Sequence, residues 1–247
     1  MENTIYVALS NQVATQRRMD VLSNNLANIN TPGFKEDRPL FLEFVEKLDG
    51  QEFRDINQRR MSLVSDYGTF TDFSQGDMTQ TGGPLDMAIK GSGFFAIDIG
   101  GGGRAYTRNG SFQLDVDGRI VNSAGNPVLD INDNELLIPD GDVQITVAND
   151  GTISTENGVV GQVKIAQFEN EQFMEPLGSG LRVTDQPELE NEGSEVLQGM
   201  VEGSNVNAIG GIVDLIEVSR AYSRSNRMGQ QEHERIGRAI RTLSGSQ

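Results

Sequence analysis

The chain has 247 residues, 36% of them hydrophobic, with 29 glycines and neither tryptophan nor cysteine. That is enough apolar material for one large domain or one domain with appendages, and the lack of cysteine excludes disulfides, thiolate metal sites and cysteine nucleophiles together. The formal charge of −16 is concentrated: residues 1–35 hold three basic against two acidic side chains and residues 200–247 six against five, so about −18 falls on residues 36–199. Such a stretch disfavours nucleic acid or an anionic membrane as its partner.

No run approaches the roughly 18 apolar residues that span a bilayer, and the opening "MENTIYVALSNQVATQRRMD" lacks a basic region followed by an apolar one. Neither membrane insertion nor a cleavable secretory signal is expected.

The first 32 residues contain no glycine. Ile5, Ala8, Gln12, Thr15, Met19, Leu22, Leu26 and Ile29 step by three and four, which predicts one long amphipathic helix ending near Asn30. Thr31-Pro32-Gly33 ends it, because proline restricts the residue before it and glycine accepts a left-handed turn. The asparagines of "NNLANIN" weaken the helix intrinsically and offer side-chain amides to backbone and neighbouring chains.

Residues 33–83 read as a connector of extended chain and turns, with "FLEFVEKL" as a candidate short helix. From residue 84 to 185 the period changes to two. "LDMAIKGSGFFAIDI", "YTRNGSFQLDVDGRIVNSAGNPVL" and "VQITVANDGTISTENGVVGQVKIAQFEN" alternate around Gly-rich, Asn-Gly and Asp-Gly turns, which predicts an antiparallel β domain. A return connector over 186–205 leads to a second long helix over 206–247, with Asn207 or a neighbour as its cap. Ile212, Leu215, Ser219, Tyr222, Asn226, Gly229, His233, Ile236, Ile240 and Leu243 again step by three and four.

Motifs for chemistry are weak. "GGGG" at 100–103 lacks the Lys-Ser/Thr pair and the helix of a phosphate loop, so a flexible hairpin loop is expected. "DVDG" (115–118) and "DINDNE" (130–135) alternate carboxylates as calcium loops do. Counting from Asp130, however, the places of the EF-hand glycine and bidentate glutamate hold Glu135 and Gly141, so turn-forming side chains explain them better. His233 is the only histidine, lies in a predicted helix and has no nucleophile elbow to serve. No catalytic residue, cofactor or metal site is expected. The arginines of the last helix alternate with Glu217, Glu232 and Glu234, which favours protein contacts over nucleic acid.

Four segments, "MDVLSNNLANINTPGFK" (19–35), "QGDMTQTGGPLDMAIKGSGFFAI" (75–97), "YTRNGSFQLDVDGRIVNSAGNPVL" (106–129) and "LQGMVEGSNVNAIGGIVDLIEVSRAYSRSNRM" (197–228), together resemble the flagellar basal-body rod and hook family of bacterial axial proteins. Within that family the opening and the length most resemble the proximal-rod members, with the distal-rod members as near neighbours. Pro32 departs from the family's more common threonine. The Gly210-Gly211 pair stands where bulkier residues are usual and puts the continuity of the last helix in doubt.

The resemblance implies an α+β fold in which long N- and C-terminal helices form a coiled-coil pair around a central antiparallel, mostly-β domain. It implies a structural rod subunit, exported uncleaved by the flagellar type III apparatus, that polymerises with other rod proteins and with itself in the periplasm and transmits motor torque to the hook. The expected assembly surface comprises Ile5, Met19, Leu22, Asn24, Asn25, Leu26, Asn28, Ile29, Asn205, Ile212, Leu215, Arg220, Tyr222, Ile236, Ile240 and Leu243. A peptidoglycan-active enzyme on a helical anchor and a non-polymerising adaptor are the alternatives. No carboxylate pair singles itself out for the first, and truncating residues 1–30 distinguishes among the three.

Overall fold

A computed structural model describes residues 2–47, 60–139, 144–189, 191 and 193–244. The chain divides into two units, each assembled from separated stretches of sequence: Met1–Ala27, Asp37–Asp72 and Asn207–Gln247 form the first, and Asn28–Glu36 with Phe73–Val206 the second.

The first unit holds helix α1 (Glu2–Ala27), strands β1 (Asp37–Lys47) and β2 (Arg60–Thr71), and helix α2 (Ala208–Ser244). Asn207 starts α2 as a cap: its Oδ1 accepts from the Gly210 amide at 3.0 Å and its carbonyl from Gly211 at 2.9 Å. The helix runs through the Gly210-Gly211 pair without a break. Strands β1 and β2 form a long antiparallel ribbon, from Asp37 opposite Thr71 to Lys47 opposite Arg60, with an irregularity after Leu40 where Gly68 lies opposite. Of "FLEFVEKL", residues 41–47 are therefore strand and not helix, and Leu48 lies outside the described residues. The strand's Phe and Val content, and a partner rich in Val, Tyr, Phe and Thr, prevail over a local helical period.

The expected coiled-coil pair is corrected by this unit. Among the described side chains, no member of the predicted register is buried on either helix; the buried ones are Val21 and Asn25 on α1 and Val218 on α2. Leu9 and Val13 are more than half exposed. α1 packs against β1 and β2 as well as α2. The physical reason is that Gln12, Thr15, Ser219, Asn226 and Gly229 interrupt the stripe, so it offers few apolar knobs for a seam. The ribbon within the predicted connector supplies a surface the heptad reading did not contain.

The second unit is antiparallel throughout. Its strands are β3 (Met78–Gln80), β4 (Met87–Lys90), β5 (Phe94–Asp98), β6 (Arg104–Thr107), β7 (Gln113–Leu114), β8 (Ile120–Val121), β9 (Thr146–Val147), β10 (Thr152–Thr155), β11 (Gly158–Gln162), β12 (Ile165–Ala166), β13 (Glu175–Gly178), β14 (Leu181–Val183), β15 (Glu195–Gln198) and β16 (Met200–Glu202). A five-stranded sheet runs β12-β5-β6-β14-β13, a three-stranded one β11-β10-β9, and β15 pairs with β4, β16 with β3 and β7 with β8.

Strand β5 is buried on both faces. Its period of two sends Phe95 and Ile97 into a core with Met87, Ile89, Ile120 and Val196, and Phe94 and Ala96 into a second core with Tyr106, Phe168 and Met174. Gly100–Gly102 have positive φ and form the loop between β5 and β6, closed by Ile99 N–H donating to Gly103 O at 3.1 Å. The calcium-like acids act in turns. Asp115 Oδ1 accepts from the amides of Asp117 and Arg119, and Asp130 Oδ1 from those of Asn132 and Asn134.

Candidate functional site

Within the second unit, the segment that follows α1 in sequence is anchored on strand β16 by a buried ionic junction. The Lys35 ammonium donates to Glu202 Oε1 at 2.5 Å and to the Ser74 carbonyl at 2.7 Å. Glu202 Oε1 also accepts from the Gly76 amide at 3.0 Å, and its Oε2 from Arg108 Nη1 at 3.4 Å. Lys35, Arg108 and Glu202 are 3%, 5% and 0% exposed, so two cations and one carboxylate are buried together, with the charge of Glu171 also acting on both cations. Arg108 Nε has no hydrogen-bond partner among the described residues, and its guanidinium lies 5.2 Å over the Phe94 ring. Burial pushes the Lys35 and Arg108 pKa values below their ordinary ranges, while Glu202 draws both back up.

The backbone is fitted as closely. Gly33, at φ +69°, donates to the Glu202 carbonyl at 2.7 Å, and a Cβ there would stand 2.3 Å from Asn109 N. The Asn205 amide completes the junction: its Oδ1 accepts from Glu36 N at 2.7 Å and its Nδ2 donates to the Ser74 carbonyl at 3.2 Å. Three of the quoted sequence segments therefore meet through Lys35, Arg108 and Glu202.

Sequence reasoning missed all three as a group. The available signals were Glu202, a lone charge between Val201 and Gly203, and Lys35, set directly after a Pro-Gly-Phe turn. Nothing in the sequence alone pairs residues so far apart.

The predicted surface residues divide. Ile212, Arg220 and Asn24 are exposed, whereas Met19, Leu22, Leu26, Asn28, Ile29, Asn205, Leu215 and Tyr222 are half-buried. Asn25 is buried and engaged within the chain: its Nδ2 donates to the Asp37 carbonyl at 2.7 Å and its Oδ1 accepts from Asp37 N at 3.1 Å. The side chains of Ile5, His233, Ile236, Ile240 and Leu243 lie outside the described set. At the start of α2, Ile209, Ile212, Val213 and Ile216 are 79%, 46%, 52% and 47% exposed, an apolar patch at helical spacing.

A second polar cluster lies on the β unit. Glu188 receives Lys164 at 2.5 Å, Tyr106 Oη at 2.6 Å and Arg104 at 3.0 Å, while Asp133 receives Lys164 at 2.5 Å and Arg104 at 2.7 Å. Burial alone would raise the Glu188 pKa, but the three donors outweigh it and hold the carboxyl below the glutamate range. The Tyr106 phenol is pushed up by burial and by its bond to Glu188. Lys164 and Glu188 line a groove of about 500 Å³, but each already neutralises the other, which suits structure better than proton transfer. Among the described residues, no cluster of ligand-type side chains is arranged to hold a metal ion, and no helix is long and apolar enough to cross a membrane.

Three family models match in chain order: "Flagella basal body rod protein" over residues 5–35, "Flagellar hook protein FlgE/F/G D1 domain" over 88–155 and "Flagellar basal body rod FlgEFG protein C-terminal" over 197–242. Similar curated proteins include the flagellar basal-body rod protein FlgF of Caulobacter vibrioides, 35% identical over 98% of both chains, and that of Rhizobium meliloti, 35% identical over all of both. The rod protein FlgG of Buchnera aphidicola subsp. Acyrthosiphon pisum is 33% identical over 89% of this chain and 91% of its own.

Proposed function

The chain belongs to the flagellar basal-body rod protein family and is a structural subunit of that rod, and we propose that it is of the FlgF type, located in the proximal rod. The end-to-end match to FlgF proteins, against partial coverage of the FlgG relative, supports that subtype. The subunit assembles with other rod proteins of the basal body. Its work is mechanical: it passes motor torque towards the hook and catalyses nothing. Export through the flagellar type III apparatus without cleavage, a place in the periplasm, and no insertion into membrane or contact with nucleic acid complete the reading.

The observation that carries the assembly surface is the exposed apolar patch of Ile209, Ile212, Val213 and Ile216. Such a patch on a helix is satisfied by a neighbouring chain. Leu215, Tyr222 and Arg220 extend it along α2, and Met19, Leu22, Leu26 and Ile29 supply the N-terminal contribution. Ile5, Asn24, Asn25, Asn28, Asn205, Ile236, Ile240 and Leu243 complete the proposed set, with Asn25 and Asn205 acting by shaping the chain that presents it.

The test is complementation. Cells lacking this chain should regain motility and the protein's place in isolated basal bodies with the wild-type gene, but not with Ile209→Ser/Ile212→Ser/Ile216→Ser. Full motility with that variant would remove the patch from the proposal, and unimpaired motility in the deletion strain would remove the rod function.

A further inference from the structure

Charge divides unequally between the units. The β unit carries 22 acidic against seven Lys or Arg side chains, a net of −15, whereas the helix and ribbon unit carries 14 against 13, a net of −1. On the near-neutral unit, Arg18 of α1 and Arg220 and Arg224 of α2 line one groove of about 410 Å³, with Val218 and Ala221 also lining it and Glu217 the single acid. All three arginines are exposed, and none forms an ion pair among the described residues, unlike Arg17, which holds Asp66 at 3.3 Å.

We propose that this groove docks a carboxylate-bearing segment of a second copy of this chain, presented by that copy's acidic β unit. Planar guanidiniums hold carboxylates with paired hydrogen bonds, and three around one apolar-floored groove create a local excess of positive charge that Glu217 does not cancel. Opposite this excess, every copy offers a unit of net −15. On the β unit, Glu169, Glu175 and Asp185 are exposed and unpaired among the described residues, so carboxylates are available at the surface. The inference rests on the rod reading for its setting, but it is tested on the purified full chain.

Sedimentation over a concentration series of about 1–200 µM, in low salt near 50 mM and high salt near 500 mM, measures the contact. Wild type should self-associate in low salt, with an apparent Kd at least about tenfold weaker in high salt. Arg18→Glu/Arg220→Glu/Arg224→Glu should weaken low-salt association by about tenfold or more, with an unchanged circular dichroism spectrum and melting temperature. The corresponding triple lysine variant keeps the charge and should retain association. A wild type that stays monomeric throughout, or a glutamate variant that associates as wild type does, overturns the proposal. Neither result touches the rod reading, which is decided by motility and basal-body composition.

Discussion

The Lys35 ammonium and the Glu202 carboxylate meet at 2.5 Å across 167 positions of sequence, with neither exposed. Removing one member of such a pair costs about 3–5 kcal/mol, because the other remains buried without compensation. The two removals are unequal here. Glu202→Gln leaves two buried cations with only the charge of Glu171 acting on them, whereas Lys35→Met leaves Glu202 with Arg108 and the Gly76 amide. Urea unfolding of the full chain should therefore rank Glu202→Gln well below Lys35→Met, and the reverse order would refute this account of the junction.

Two glycine substitutions should act in opposite directions. Gly33→Ala demands a left-handed alanine whose Cβ meets main-chain atoms of Asn109 and Arg108 at 2.3 and 2.4 Å, which cannot give way as a flexible side chain would. A loss of several kcal/mol is expected, above the roughly 1 kcal/mol of the backbone conformation alone. Gly211→Ala, inside α2 with nothing within 4 Å of the added carbon, should gain about 0.5–1 kcal/mol. Denaturant midpoints measure both.

The asparagines at the end of α1 should separate in the same assay. Asn25→Ala removes both bonds to the Asp37 backbone from a buried site and should cost about 1–3 kcal/mol despite alanine's higher helix propensity. Asn24→Ala, at an exposed position, should cost less than Asn25→Ala. Equal effects would mean that Asn25 has no special role.

Glu188 supplies one pH dependence of stability. Its folded pKa lies below the unfolded value, so its stabilisation is complete above about pH 4.3 and fades as pH falls through the folded pKa. The melting temperature of wild type should exceed that of Glu188→Gln above about pH 4.3, and the gap should shrink as pH falls through the folded pKa. A gap that shows no dependence on pH throughout the acid range would rule out ionic stabilisation by this cluster.

How much of this was legible depended on range. The two long helices, the cap at Asn207 and the alternation of Phe94 to Ile97 are local patterns, and they stand in the sequence. The ribbon formed by β1 and β2 was not legible, because "FLEFVEKL" suits either structure until its partner is known. The coiled-coil expectation failed for a related reason: a step of three and four describes a face without saying what covers it. The junction was least visible, since the pairing of Lys35 with Glu202 follows from tertiary geometry that neither charge announces.

The division of the second unit between residues 28–36 and 73–206 has a kinetic meaning. A chain that emerges N-terminus first holds Lys35 in water until Glu202 appears, so the closing contact must wait for nearly the whole unit to be available. Until then Gly33 lacks its carbonyl acceptor and Glu36 its asparagine. The step that seats Lys35 therefore depends on the end of the unit: a chain interrupted before residue 202 lacks both the carboxylate and the carbonyl that fasten the segment following its first helix.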